Sequence, residues 1–195
     1  MEEVIAKRIA EHQAALAEFE RGEGAKVVAE VARLLVNTIR KGNRIYLAGN
    51  GGSAADAQHI AGEIVGRFLL ERSAWPATAL STDTSVLSCV ANDYDWREVF
   101  ARQVEAFVQA GDVYWGLSTS GNSANVVAGA ELARDRGAKV IAFTGPTGGK
   151  LKGIANLCLL APGPATAHIQ EIHQVAYHII CELVEADLTG REEVL

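Results

Sequence analysis

The apolar positions of this 195-residue chain fall into two regimes that meet near residue 42. Before that point Ile5, Ile9, His12, Leu16 and Phe19 recur at steps of four and three, the spacing that lines one seam of an α-helix. Gly22 and Gly24 break the seam. A second helix is expected from about Ala25 to Lys41, with Val28, Val31 and Leu35 on one face and Gly42 as its stop. A narrow seam of this kind suits a partner helix, in the same chain or another subunit.

Beyond residue 42 short apolar runs take over: Arg44–Ala48, Ala77–Leu80, Val113–Leu117, Lys139–Thr144 and Asn156–Leu160. Helical stretches lie between most of them, at Ser53–Val65, Val86–Ala91, Trp96–Val108 and Ser123–Arg136. A long helix from about Ala165 to Leu188 closes the chain, with Ile169, Ile172, Ala176, Ile179 and Leu183 as its apolar stripe. Buried strands alternating with helices argue for a parallel sheet covered on both faces. The expected fold is a three-layer α/β sandwich with a five-stranded parallel sheet, preceded by two N-terminal helices. No linker or shift of composition divides the chain. One domain is expected over 1–195, with a helical segment 1–42 and an α/β core 43–188.

Charge and cysteine usage narrow the function classes. The net charge is −6, with no basic run, so a nucleic-acid partner is not expected. No apolar run reaches the roughly 18 residues of a membrane span, and the first segment is acidic and amphipathic rather than signal-like. Cys89, Cys158 and Cys181 form no CxxC pair and read as buried small hydrophobes in a reducing compartment. A cytoplasmic protein without a membrane partner is the expectation.

The chemistry concentrates at two strand–loop–helix junctions. The first carries Gly49-Asn50-Gly51-Gly52-Ser53 and the second Ser118-Thr119-Ser120-Gly121-Asn122-Ser123. In a parallel sheet both loops lie at the carboxyl ends of their strands, where open α/β folds bind ligands. Helix N-termini there offer free N–H groups to an anion. The four hydroxyls Ser118, Thr119, Ser120 and Ser123 are donors suited to phosphate oxygens, whereas a helix cap needs only one. Gly49, Gly51 and Ala54 also fit a short dinucleotide fingerprint, but its acidic partner would have to be Asp83, which is poorly placed. On the helix after the first loop, His59 and Glu63 share a face at i and i+4. On the last helix, Gln170, Gln174 and His178 run beside the apolar stripe at four-residue steps, whereas His168 and His173 read as surface or packing residues. His59, Glu63 and His178 form a nitrogen–oxygen set that could hold zinc.

Four segments in order, AGNGGSAADAQHIAGEIVGRF, CVANDYDWREVFARQVEA, STSGNSANV and HIQEIHQVAYHIICELVE, resemble the phosphoheptose isomerase family, which has the sugar isomerase fold with a flavodoxin-like strand order. The resemblance runs from the helical N-terminus to about Leu188. It implies a homotetramer, with one zinc per subunit, that isomerises sedoheptulose 7-phosphate to D-glycero-D-manno-heptose 7-phosphate for bacterial heptose glycoconjugates such as lipopolysaccharide. Matched residue by residue, it implies substrate contacts at Asn50, Gly51, Gly52, Glu63, Asn92, Asp93 and Gln170, and phosphate contacts at Ser118, Thr119, Ser120 and Ser123. It further implies zinc ligands at His59, Glu63, Gln170 and His178, with Glu63 as catalytic base and His178 as acid. The same fold includes the non-enzymatic DnaA initiator-associating protein, which lacks the Glu and His pair present here. Gln170 and His178 lie about 12 Å apart along an ideal helix and about 80° around it. They can therefore share a metal only if it lies between them, if the helix bends, or if one ligand comes from a neighbouring subunit.

Overall fold

A computed structural model describes residues 1–191. Two helices lead, α1 (Glu2–Arg21) and α2 (Gly24–Arg40), followed by β1 (Ile45–Ala48), α3 (Gly52–Val65) and β2 (Ala77–Ala79). Next come α4 (Thr84–Asp93), α5 (Ala101–Phe107), β3 (Val113–Ser118), α6 (Ala124–Asp135) and β4 (Lys139–Thr144). The chain ends with α7 (Gly149–Lys152), β5 (Leu157–Leu160) and α8 (Thr166–Thr189). All strand pairs are parallel and the order is β2-β1-β3-β4-β5, the flavodoxin-like order the resemblance implies. The order reverses between β1 and β3, so the loops after these two strands flank the switch point of the sheet.

The period of two along the strands sorts the core into two layers. Ile45, Leu47, Val113, Trp115, Leu117, Ile141 and Phe143 face a cluster built with α1, α2, α3 and α8. Tyr46, Ala48, Tyr114, Val140 and Ala142 face the opposite cluster, under α4, α5, α6 and α7. Both faces are covered, so the central strands β1 and β3 are buried along their whole length. They therefore read as continuous apolar runs.

Several expectations change in detail. The helix expected over Trp96–Val108 is a 3-10 turn, Trp96–Glu98, followed by α5. Asp83 accepts a hydrogen bond from the Val86 amide at 2.9 Å as the N-cap of α4, so it caps a helix and is not turned to a nucleotide ribose. Cys181 is buried, but Cys158 is half-buried and Cys89 exposed. Cys89 approaches Asp93 instead of core side chains. On α8 the stripe turns by one position: Ile180 and Val184 are buried beside Ile169, Ile172 and Ala176, while Ile179 is 40% exposed. The seam of α1 is mostly uncovered, for Phe19 is buried but Ile5, Ile9 and Leu16 are exposed.

His173 lies fully buried on α8, with Nε2 3.0 Å from the carbonyl oxygen of Thr144 and its ring beside Phe143. Burial pushes its pKa from 6.5 down to about 4, although the carbonyl partner acts to raise it. Between those two values the unfolded chain binds a proton that the folded chain refuses, so stability is lost as pH falls through this window. The loss by pH 4 amounts to about 3 kcal/mol. Urea unfolding between pH 7 and pH 4 should show a shallower decline for His173→Gln than for the parent. Equal slopes would rule His173 out as the group responsible.

Candidate active site

The site grows from two helices lying side by side. At the start of α3, a Cβ on Gly52 would sit 2.5 Å from the side-chain amide atoms of Gln170, so any larger residue would displace that side chain from its place. One turn on, Gln174 Nε2 donates to Asp56 Oδ1 at 3.4 Å. A further turn brings Tyr177 Oη within 3.0 Å of His59 Nδ1. The other ring nitrogen, Nε2, lies 3.0 Å from Glu63 Oε1, and the His178 ring packs edge-on against His59 with centroids 5.0 Å apart. One donor atom each from His59, Glu63 and His178 all fall within 4.8 Å of one another. Two imidazoles and a carboxylate at this spacing suit a single divalent ion, and His₂Glu is a donor set of catalytic zinc sites with an open position.

Burial, aided by the nearby His59, lowers the pKa of His178, against the raising effect of Glu63 and Asp56. Phe68 stacks on the other side of His178, 6.0 Å away and nearly parallel. Its loop is fixed by Glu185, whose carboxylate accepts from the amides of Phe68, Leu69 and Leu70 and from Arg72 Nε. Burial alone would raise the Glu185 carboxyl, but these donors hold it below the usual range. Arg72 in turn donates to the carbonyls of Glu63 and Ile64, satisfying the open end of α3. The Arg72–Glu185 pair thus joins the last turn of α3 to α8 from behind the site.

The hydroxyl loop after β3 is equally organised. Ser118 is buried, and its Oγ lies 2.9 Å from Ser123 Oγ and 3.4 Å from Ser120 Oγ. Ser123 occupies the N-cap of α6 yet makes no side-chain cap bond, so helix capping does not explain its hydroxyl. Gly121 adopts φ +66°, and a Cβ there would lie 2.2 Å from the Gly148 carbonyl oxygen, a contact no side chain tolerates. Asn50 and Asn125 exchange two 2.8 Å hydrogen bonds, tying the two ligand loops together.

The SIS domain model matches residues 9–145. A phosphoheptose isomerase of Trichlorobacter lovleyi is 46% identical over 97% of this chain and 96% of its own. One from Geobacter sp. (strain M21) is 51% identical over 86% and 88%. The chain belongs to the phosphoheptose isomerase family. The solved phosphoheptose isomerase GmhA from Neisseria gonorrhoeae superposes with a TM-score of 0.89 at 40% identity, covering 95% of this chain and 98% of that one.

Against the residues that the family resemblance implies, the structure brings together His59, Glu63 and His178, and all three come from one chain. No second subunit is needed to unite Glu63 with His178. Gln170 lies nearer the glycine loop, against Gly52, on an α8 that runs unbroken from Thr166 to Thr189. Asn50, Gly51 and Gly52 stand at the loop after β1, and Ser118, Thr119, Ser120 and Ser123 at the loop after β3. Asn92 and Asp93 end α4, exposed and hydrogen-bonded to each other. Three neighbours of the site carried no motif of their own in the sequence: Asp56, Tyr177 and Phe68. Asp56, His59 and Glu63 share a helical face at i, i+3 and i+7, the one signal that could have found the first.

Glu185→Ala leaves the Arg72 guanidinium buried without its partner and frees the Phe68 loop. The expected loss is about 3–5 kcal/mol in urea unfolding. A loss under about 1 kcal/mol, the scale of a surface pair, would mean that the staple does not hold the site together.

Proposed function

We propose that this chain is the aldose–ketose isomerase that interconverts sedoheptulose 7-phosphate and D-glycero-D-manno-heptose 7-phosphate, as an early step toward heptose-containing glycoconjugates such as lipopolysaccharide. The observation that carries the reading is the His59, Glu63 and His178 cluster on α3 and α8, together with a converging hydroxyl loop at the end of β3, in a chain about half identical to phosphoheptose isomerases.

In this reading Ser118, Thr119, Ser120 and Ser123 donate to the phosphate, while Asn50, Gly51, Gly52 and Gln170 line the sugar. Asn92 and Asp93 are included on their family motif alone. Glu63 takes a proton from C1 of the ketose, and the C1–C2 enediol forms as the C2 carbonyl becomes a hydroxyl. The same carboxyl returns the proton to C2, yielding the aldehyde at C1. His178, with its lowered pKa, moves the proton between the two oxygens. His59, Glu63 and His178 would hold a zinc ion; Gln170, the fourth ligand that the family resemblance implies, stands against Gly52 about two turns of α8 away. When bound, the ion supplies Lewis-acid stabilisation of negative charge on oxygen. Glu63 would thus both help to hold the ion and act as the base at C1.

The reading extends to a homotetramer and a cytoplasmic location. Exposed Leu16, Val175 and Ile179 line an apolar groove of about 490 Å³ between α1, α2 and α8, which a second copy would cover. Sedimentation equilibrium should return four times the 20.7 kDa chain mass, and a monomer at micromolar concentration would remove this part of the reading. Among the described residues no helix is long and apolar enough to cross a membrane.

An isomerase assay on sedoheptulose 7-phosphate, run after chelation and again with added zinc, tests the whole. Glu63→Gln should lower turnover at least roughly 100-fold in a folded protein. Ser118→Ala should chiefly raise KM, by the equivalent of about 1.5–3 kcal/mol. Unphosphorylated heptulose should be a poor substrate. Near-normal turnover by Glu63→Gln, or equal use of the unphosphorylated sugar, would sink the assignment.

A further inference from the structure

Asp56 is the least explained group near the site. It is 2% exposed, its Oδ2 has no hydrogen-bond partner among the described residues, and its Oδ1 has only the 3.4 Å contact to Gln174. A carboxylate buried with so little compensation normally destabilises a fold. It faces Gln174, Gln170, His59 and Tyr177, and Tyr177 is the residue whose hydroxyl meets His59 Nδ1 at 3.0 Å.

That hydroxyl has one hydrogen, and where it points decides what His59 can do. If Tyr177 donates to Nδ1, the neutral ring carries its proton on Nε2 and donates it to Glu63, 3.0 Å away. Nε2 then has no lone pair for a metal. If the hydroxyl turns to another acceptor, Nδ1–H donates to the Tyr177 oxygen and the Nε2 lone pair is exposed toward Glu63 and His178. The second arrangement needs a buried acceptor beside Tyr177 with capacity to spare. Asp56 is such an acceptor.

We propose that Asp56 is a positioning residue which, by accepting a hydrogen bond from the Tyr177 hydroxyl, sets His59 in the Nδ1–H tautomer that makes Nε2 a metal ligand. The inference rests on the reading of His59, Glu63 and His178 as a metal site. It deepens that site by an outer chain of Asp56, Tyr177 and His59, in which a tyrosine relays the carboxylate's preference to the ring. Outer partners of ligating histidines commonly fix tautomer and orientation, and losing one lowers metal affinity by roughly 10–100-fold.

The test measures zinc affinity by chelator competition for the parent, Asp56→Ala, Tyr177→Phe and the double variant, each checked for folding by circular dichroism. Both single variants should bind zinc roughly 10–100-fold more weakly. The double variant should be no weaker than Tyr177→Phe alone, because the two residues act through one hydrogen bond. Tyr177→Phe removes a single oxygen, so it reports even if Asp56→Ala folds poorly. Long-range ¹H–¹⁵N spectra of the zinc-loaded parent should show His59 protonated at Nδ1. Undiminished affinity in the single variants, additive losses in the double, or a ring protonated at Nε2 would overturn the chain while leaving the metal site intact. Failure of the parent to bind zinc would instead overturn the metal site, and this inference with it.

Discussion

The parallel register of α3 against α8 is the constraint on which the site depends. Asp56 meets Gln174 and His59 meets Tyr177 at the same offset of 118 residues, and Gly52 meets Gln170 at that offset too. Equal rise per residue keeps two parallel helices in step over several turns. A slip of one residue would rotate the facing side chains by about 100° and disperse the cluster. The register is fixed at both ends. Gly52 admits Gln170 at the top, and the Glu185–Arg72 pair holds the loop after α3 at the bottom.

The Glu185–Arg72 staple is one of several buried polar groups in the chain. Asp56, Arg72, Glu185, His173 and Ser118 are all withdrawn from solvent, yet only Arg72 and Glu185 form a closed ion pair. Replacing such groups with apolar ones of similar volume often costs nothing in stability. Glu185 earns its place through geometry, since three successive loop amides converge on one carboxylate. Ser118 does so through the two hydroxyls that converge on it.

The fold was legible in the sequence because its two core layers follow simple periods. Strand runs such as Val113–Leu117 are apolar at every position because both faces are covered, and the runs of β1, β3 and β4 break into glycine-bearing loops. His59 and Glu63 were legible because i and i+4 place them on one face of one helix. What was not legible depends on contacts between helices. No local pattern says that Tyr177 rather than Gln174 reaches His59, or that Ile180 rather than Ile179 is buried. Both turn on the rotation of α8, which the sheet and α2 set. Likewise, the wide separation of Gln170 and His178 along one helix left open a site shared between subunits. Within one chain α3 runs beside α8 far enough to give each its own neighbour, Gly52 for Gln170 and His59 for His178.

An intrachain cluster leaves room for the proposed tetramer to bear on the chemistry. His178 lies on α8 next to Ile179 and one turn beyond Val175, both exposed and both lining the groove against α1. Residues 175 and 179 are one helical turn apart and so project together, while residue 178 is turned by about 100° from 179 toward α3. A subunit packed over the groove would therefore border His178 without supplying any of the three clustered donors. It would leave less water beside His178 and so strengthen its electrostatic interactions, because a drier surround screens charge less. Phe68 already covers one side of His178 from within the chain. Association over the groove would add to that cover, and in the proposed tetramer, assembly and the electrostatics of the site would be coupled.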